Sequence, residues 1–135
     1  MNDSRFYTIS TLTDGTNSLV LTRLGANDPN FNLRNESGYM VRTKDKKNYT
    51  FVSIIEPHGS FGPKLESVQD PHSKDENIQI LKQDDNYTVV LVAFKNKKTY
   101  TLAFSNKEVK PDSKHKVSIN GKNTEWRGNY TLITN

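Results

Sequence analysis

Ile78-Gln79-Ile80-Leu81, Tyr87-Thr88-Val89-Val90-Leu91-Val92-Ala93-Phe94 and Thr99-Tyr100-Thr101-Leu102-Ala103-Phe104 follow one another with short polar breaks between them. β-Branched and aromatic residues dominate these runs and Ala is rare, which argues for strands and against a helical bundle. Asp84-Asp85-Asn86 and Lys95-Asn96-Lys97-Lys98 supply the turns. Asp and Asn suit such places because their side chains bond to nearby backbone. Three runs joined in this way predict an antiparallel meander.

The same alternation extends in both directions. Towards the C-terminus, Val117 to Ile119 meets Asn120-Gly121, a hairpin signal because both residues tolerate positive φ. Thr124 to Trp126 and Tyr130 to Ile133 follow. Towards the N-terminus, Phe6 to Leu12 reads as a first strand and Asp14-Gly15-Thr16-Asn17 as a turn. Ser18 to Leu24 places Leu19, Leu21 and Arg23 on one face and Val20, Thr22 and Leu24 on the other. Tyr39 to Thr43 and Tyr49 to Ile55 read as strands joined through Lys44-Asp45-Lys46-Lys47. With 135 residues there is room for one domain, and with only 33% hydrophobic residues its core must be thin. Two facing sheets use few apolar residues efficiently, since each strand buries alternate side chains. The expected fold is therefore all-β, an antiparallel β-sandwich formed as a single domain over residues 1–135.

The net charge of +4 and a pI near 9.2 favour anionic partners such as acidic polysaccharide, acidic lipid or nucleic acid. Much of the Lys falls in turns, where it keeps hairpin edges soluble. Nucleic-acid binding needs exposed aromatics among the basic residues, and Tyr7, Tyr87 and Tyr100 suit core or cross-strand packing equally well. Neither a nucleic acid nor a membrane is expected as partner; no apolar run approaches the roughly 20 residues of a membrane span. The chain has no Cys, so neither a disulfide framework nor thiolate chemistry is available. Met1-Asn2-Asp3-Ser4-Arg5 leads straight into a strand without a leader, which gives the expectation of a fragment.

Two stretches break the rhythm and are expected to be long polar loops, where function tends to concentrate. Residues 25–38 carry Asn27, Asp28, Asn30, Asn32 and Arg34. Amides and a guanidinium read sugar hydroxyls and carboxylates, and the planar fork of Arg suits a uronate; alternatively, the Asn and Asp side chains fold back on their own backbone. Residues 56–73 begin Glu56-Pro57-His58-Gly59, a stiffly held His beside a strand end. His58 and Asp28 could meet at a metal, but two ligands do not close a tetrahedral site. Glu56 and Glu66 are conceivable paired carboxylates, though their spacing establishes nothing. No nucleophile elbow, zinc-protease helix or phosphate loop is present.

Three stretches carry a resemblance: Gly25-Ala26-Asn27-Asp28-Pro29-Asn30-Phe31-Asn32-Leu33-Arg34, Phe51-Val52-Ser53-Ile54-Ile55-Glu56-Pro57-His58-Gly59 and Trp126-Arg127-Gly128-Asn129-Tyr130. In this order they resemble the C-terminal β-domain of polysaccharide lyase family 17, the oligoalginate lyases related to the heparinase II/III group. The resemblance implies a two-part bacterial enzyme, periplasmic or secreted. An α/α-toroid catalytic domain would do β-elimination on an acidic oligosaccharide, and this chain would be an accessory β-sandwich shaping its cleft. Arg34, Asn27, Asn32 and His58 would then be substrate-side residues, with no catalytic residue in the chain itself. The family also implies a zinc in the full-length protein, held by an Asp and two His. Asp28 and His58 match two of these, the third lying upstream, and the isolated chain would carry no cofactor. A second reading is a stand-alone carbohydrate-binding module for acidic polysaccharide, and a third a purely structural or assembly domain.

Overall fold

In a computed structural model the described residues are 4–25, 35–64, 66–107 and 110–135, with the side chains of Leu24, Asn35 and Glu36 excepted. The described elements are β-strands: β1 Ser4–Thr11, β2 Asn17–Gly25, β3 Asn35–Thr43, β4 Ser53–Gly62, β5 Ser67–Gln69, β6 Asp75–Gln83, β7 Tyr87–Phe94, β8 Thr99–Ser105, β9 Lys114–Ile119, β10 Lys122–Arg127 and β11 Tyr130–Thr134. The chain divides into two compact units, one of Met1–Ser10 with Ile54–Asn135 and one of Thr11–Ser53.

In the larger unit the meander forms as read. β6, β7 and β8 pair antiparallel and β11 adds to β8, giving the order β11-β8-β7-β6. The register sets Val89 opposite Ala103, and both are fully buried. Residues two apart share a face of the sheet, so Tyr87 and Leu91 lie on the face of Val89. Against that face packs the β9–β10 hairpin, whose Val117 and Trp126 complete the core with Leu81, Tyr87 and Ile119 at its margin. The hairpin turns at Asn120 and Gly121 with φ of 49° and 78°, the paired positive values that Asn-Gly accommodates. A register shift between Ile80 and Lys82 marks the place of Leu81, which packs on the core. Two antiparallel layers thus face each other, and the all-β class expected from the sequence is what the structure shows.

A polar latch closes one end of the sheet. Asp84 Oδ1 accepts the amides of Asn86 and Tyr87, both at 2.8 Å, which hold its carboxyl below the usual carboxylate range. Asn106 joins this turn to β7 by donating to the Asp84 carbonyl at 2.7 Å and accepting the Thr88 hydroxyl at 2.9 Å. Thr88 is buried with its hydroxyl satisfied, as a buried polar group needs to be.

The other sheet of this unit runs β1-β4-β5. Its centre corrects two expectations. Tyr49 to Ile55 is not one strand: β4 begins at Ser53 and continues to Gly62, so much of the expected 56–73 loop is strand. The expected pairing through the Lys-rich turn is also replaced, because β3 pairs with β2. The reason lies in β4 itself. Its more buried positions are Ile54, Glu56 and His58, alternating with exposed Ser53, Ile55 and Pro57. Two of those three are polar, so hydrophobic alternation could not mark the strand.

In the smaller unit β2 and β3 form a nine-rung hairpin from Asn17↔Thr43 to Gly25↔Asn35. Thr11 Oγ1 bonds the Tyr39 hydroxyl and Ser53 Oγ, each at 2.7 Å. The Leu12 amide donates to the Val52 carbonyl at 3.0 Å. A lone hairpin has little to bury against, and Leu19 and Leu21 stay 51% and 82% exposed.

The thin core makes one residue dominant. Trp126→Ala is expected to lower unfolding free energy by about 3–5 kcal/mol, whereas Lys116→Ala on the outer face of the same hairpin should stay within about 0.5 kcal/mol. Urea denaturation followed by far-ultraviolet circular dichroism compares the two; similar small losses would refute the placement of the core.

Candidate functional site

The Glu56-Pro57-His58-Gly59 stretch acts as a clasp on the chain that follows it. Glu56 accepts the Ser73 hydroxyl at 2.5 Å and the Lys74 amide at 3.0 Å, and its Oε2 also takes the Asp75 amide at 3.3 Å. Two residues on, His58 is buried between neighbours on both sides. Its Nδ1 lies 3.0 Å from the Asp70 carbonyl and its Nε2 2.8 Å from Thr8 Oγ1, with the Phe6 ring 6.1 Å away. A carbonyl only accepts, so Nδ1 carries a hydrogen and donates to Asp70. In the neutral ring Nε2 then accepts from the Thr8 hydroxyl. Gly59 has φ of 43°, and a Cβ there would collide with the carbonyl oxygens of Gln69 and Asp70. Only glycine lets the two segments approach closely enough for the His58–Asp70 bond.

These bonds define what the groups can do. Burial pushes the Glu56 carboxyl up, but hydrogen bonds from Ser73 and the Lys74 and Asp75 amides outweigh it and hold the group below the usual carboxylate range. Such a carboxylate is an anchor, ionised and engaged on both oxygens, and is poorly suited to general acid work. Glu66 is exposed at the turn before β5. Like many metal-binding histidines, His58 donates one nitrogen to a backbone carbonyl, but its other nitrogen is taken by Thr8. Among the described residues no three of His, Cys, Asp and Glu converge on a point that could hold a metal. The described donors therefore do not fit a closed zinc site.

Asn27, Asp28, Asn32 and Arg34 lie outside the described residues. Of the other residues singled out from sequence, His72 is exposed and Tyr7 is 64% exposed. Tyr87 and Tyr100 fall on opposite faces of their sheet, since Tyr87 shares the face of Val89 while Tyr100 is paired with Val92. They do not form one stacking platform.

A second cluster escaped the sequence reading. His115 stacks on Trp126 with ring centroids 5.1 Å apart, and Tyr87 meets both rings edge-on at 5.8 and 5.6 Å. His115 Nε2 and Trp126 Nε1 are buried without a hydrogen-bond partner among the described residues. The signal was present: His115 and Val117 alternate on β9, and the register places His115 opposite Trp126.

No family model matches the chain. The chain is similar to an exo-oligoalginate lyase of Saccharophagus degradans, 30% identical over 134 residues, 97% of this chain and 18% of that protein. It is similar also to an alginate lyase of Stenotrophomonas maltophilia, 30% identical over 131 residues, 97% of this chain and 17% of that protein. The chain thus spans less than a fifth of the length of each of these curated relatives.

The clasp generates two expectations. Gly59→Ala should destabilise the chain by more than about 1 kcal/mol, read as a lower urea midpoint. Because the Glu56 pKa is depressed in the fold, its contribution is present above the ordinary Glu value of about 4.3 and is lost as pH falls through the folded value. Glu56→Gln should therefore flatten the acid side of a plot of thermal midpoint against pH; an unchanged slope would contradict the anchoring role.

Proposed function

We propose that this chain is an accessory β-domain of an alginate lyase and forms no elimination product by itself. The observation that carries this reading is the asymmetry of the similarity: two alginate lyases match nearly the whole chain, yet each is several times longer. The clasp supports it, since Glu56 and His58 are both engaged in holding the fold. So do Leu19 and Leu21, whose exposed side chains suit a larger partner.

In the fuller form of the proposal the parent is a family 17, heparinase II/III-like lyase, exported to the periplasm or beyond the cell. Its catalytic domain is an α/α toroid, and this chain shapes the cleft. Elimination requires a base at the proton beside the uronate carboxylate and cationic or polar groups that neutralise that carboxylate. This chain would contribute only to the second task. Arg34 would grip the carboxylate through its fork, with Asn27 and Asn32 bonding hydroxyls, while His58 would act by holding its own strand to Thr8 and Asp70. A zinc in the parent would take Asp28 and need ligands beyond those described.

Purified chain incubated with oligoalginate should give no rise in the ultraviolet absorbance of an unsaturated uronate; product formation would overturn the accessory reading. In an intact lyase carrying this domain, Arg34→Ala should lower kcat/KM by roughly ten-fold or more, the scale of a lost charged hydrogen bond. Arg34→Lys should restore only part, because an ammonium lacks the fork. Unchanged kinetics in both variants would remove Arg34 from the site.

A further inference from the structure

We infer that the solvent face of the β9–β10 hairpin binds the carboxylates of a uronate oligosaccharide. The class of ligand rests on the accessory-domain reading; the place rests on the hairpin's own charges.

The register puts Lys114 directly opposite Arg127, and both are exposed. Side chains opposite each other project to the same face with Cβ atoms about 5 Å apart, and like charges so placed repel. The next rung of the same face shows the usual solution: Lys116 is opposite Glu125 and bonds it at 2.9 Å. That pair is satisfied; Lys114 feels the same Glu125 carboxylate at longer range, and the first rung has no carboxylate of its own. Neither Lys114 nor Arg127 makes a salt bridge among the described residues. Lys114, Arg127 and Glu125, together with His115 and Trp126, line a cleft of about 340 Å³.

The face is also set by the core behind it. Alternation sends His115, Val117 and Trp126 inward, where they are buried, and so fixes the outward residues between them. A carboxylate bridging Lys114 and Arg127 relieves their repulsion and gains a forked hydrogen bond from the guanidinium. Rungs sharing this face recur about 6.5–7 Å along the strands, so the neighbouring Lys116–Glu125 pair and then Ser118 with Asn123 meet the hydroxyls of the next sugar. Neutral glycans lack the one group that the unpaired cations select.

The test is an amide-shift titration of the 135-residue chain with a guluronate or mannuronate oligomer. Saturable shifts on β9 and β10 that weaken as salt is added are expected. Lys114→Gln with Arg127→Gln should weaken binding roughly ten-fold or more. Lys122→Gln, which removes a charge at the hairpin tip, should change it less than about two-fold. The double variant should keep its thermal midpoint, since a repulsion has been removed. Undiminished binding by the double variant overturns the inference and leaves the accessory-domain reading standing, which falls instead on catalysis by the chain alone. Equal loss in Lys122→Gln, equal binding of a neutral glucan oligomer, or sulfate bound at the same concentration would each overturn it too. So would tighter binding of a DNA oligomer, which would mark a general polyanion face.

Discussion

The contact between Trp126 and the Val89–Ala103 rung organises the larger unit. The chain is poor in apolar residues, so its fully buried core is small and each member matters. Val89 and Ala103 leave a shallow seat on the sheet, and the indole fills it from the opposite layer. Val117 lies beside Trp126 in this core and His115 stacks on its ring, in the register that the Asn120-Gly121 turn sets. The same packing orients the hairpin's other face. Lys114, Lys116, Glu125 and Arg127 point outward because their neighbours point inward, so the charge pattern proposed to meet a ligand is a consequence of core packing.

The clasp at Glu56 to Gly59 solves a different problem. The segment after β5 has few apolar residues with which to dock itself. A buried imidazole, an ionised carboxylate and a glycine hold it by hydrogen bonds and close backbone approach. This explains how a motif that looks functional in sequence can be structural in geometry. It also bears on catalysis, because residues bound to the fold on every polar atom are not free to move protons.

The meander was legible because its strands bury aliphatic residues at alternate positions and its turns carry Asp, Asn and Lys. Asn120-Gly121 was legible because few other pairs tolerate two positive φ values in succession. β4 was not, because Glu56 and His58 occupy its inward positions and find partners from distant segments that no local pattern announces. The same blindness affects its neighbours: the Lys44–Lys47 turn suggests a hairpin, but β3 has its partner in β2. Among the site residues, His58 reads from sequence as a substrate-side residue and metal ligand on a stiff stretch; its bonds to Thr8 and Asp70 come from distant segments that no local pattern announces. The likeness to alginate lyases was carried by three short motifs and is matched by the similarity to two such enzymes. The Lys114–Arg127 rung was hidden, since a like-charge pair thirteen residues apart becomes visible only when register is known.

The most direct test of the accessory-domain account is an exchange of segments. The matching 134 residues of the Saccharophagus degradans exo-oligoalginate lyase would be replaced by this chain, and release of unsaturated uronate from oligoalginate measured. The account predicts that the folded chimera cleaves its substrate, while the same enzyme lacking the segment does not. A folded chimera without activity, or a segment-free enzyme with full activity, would contradict it.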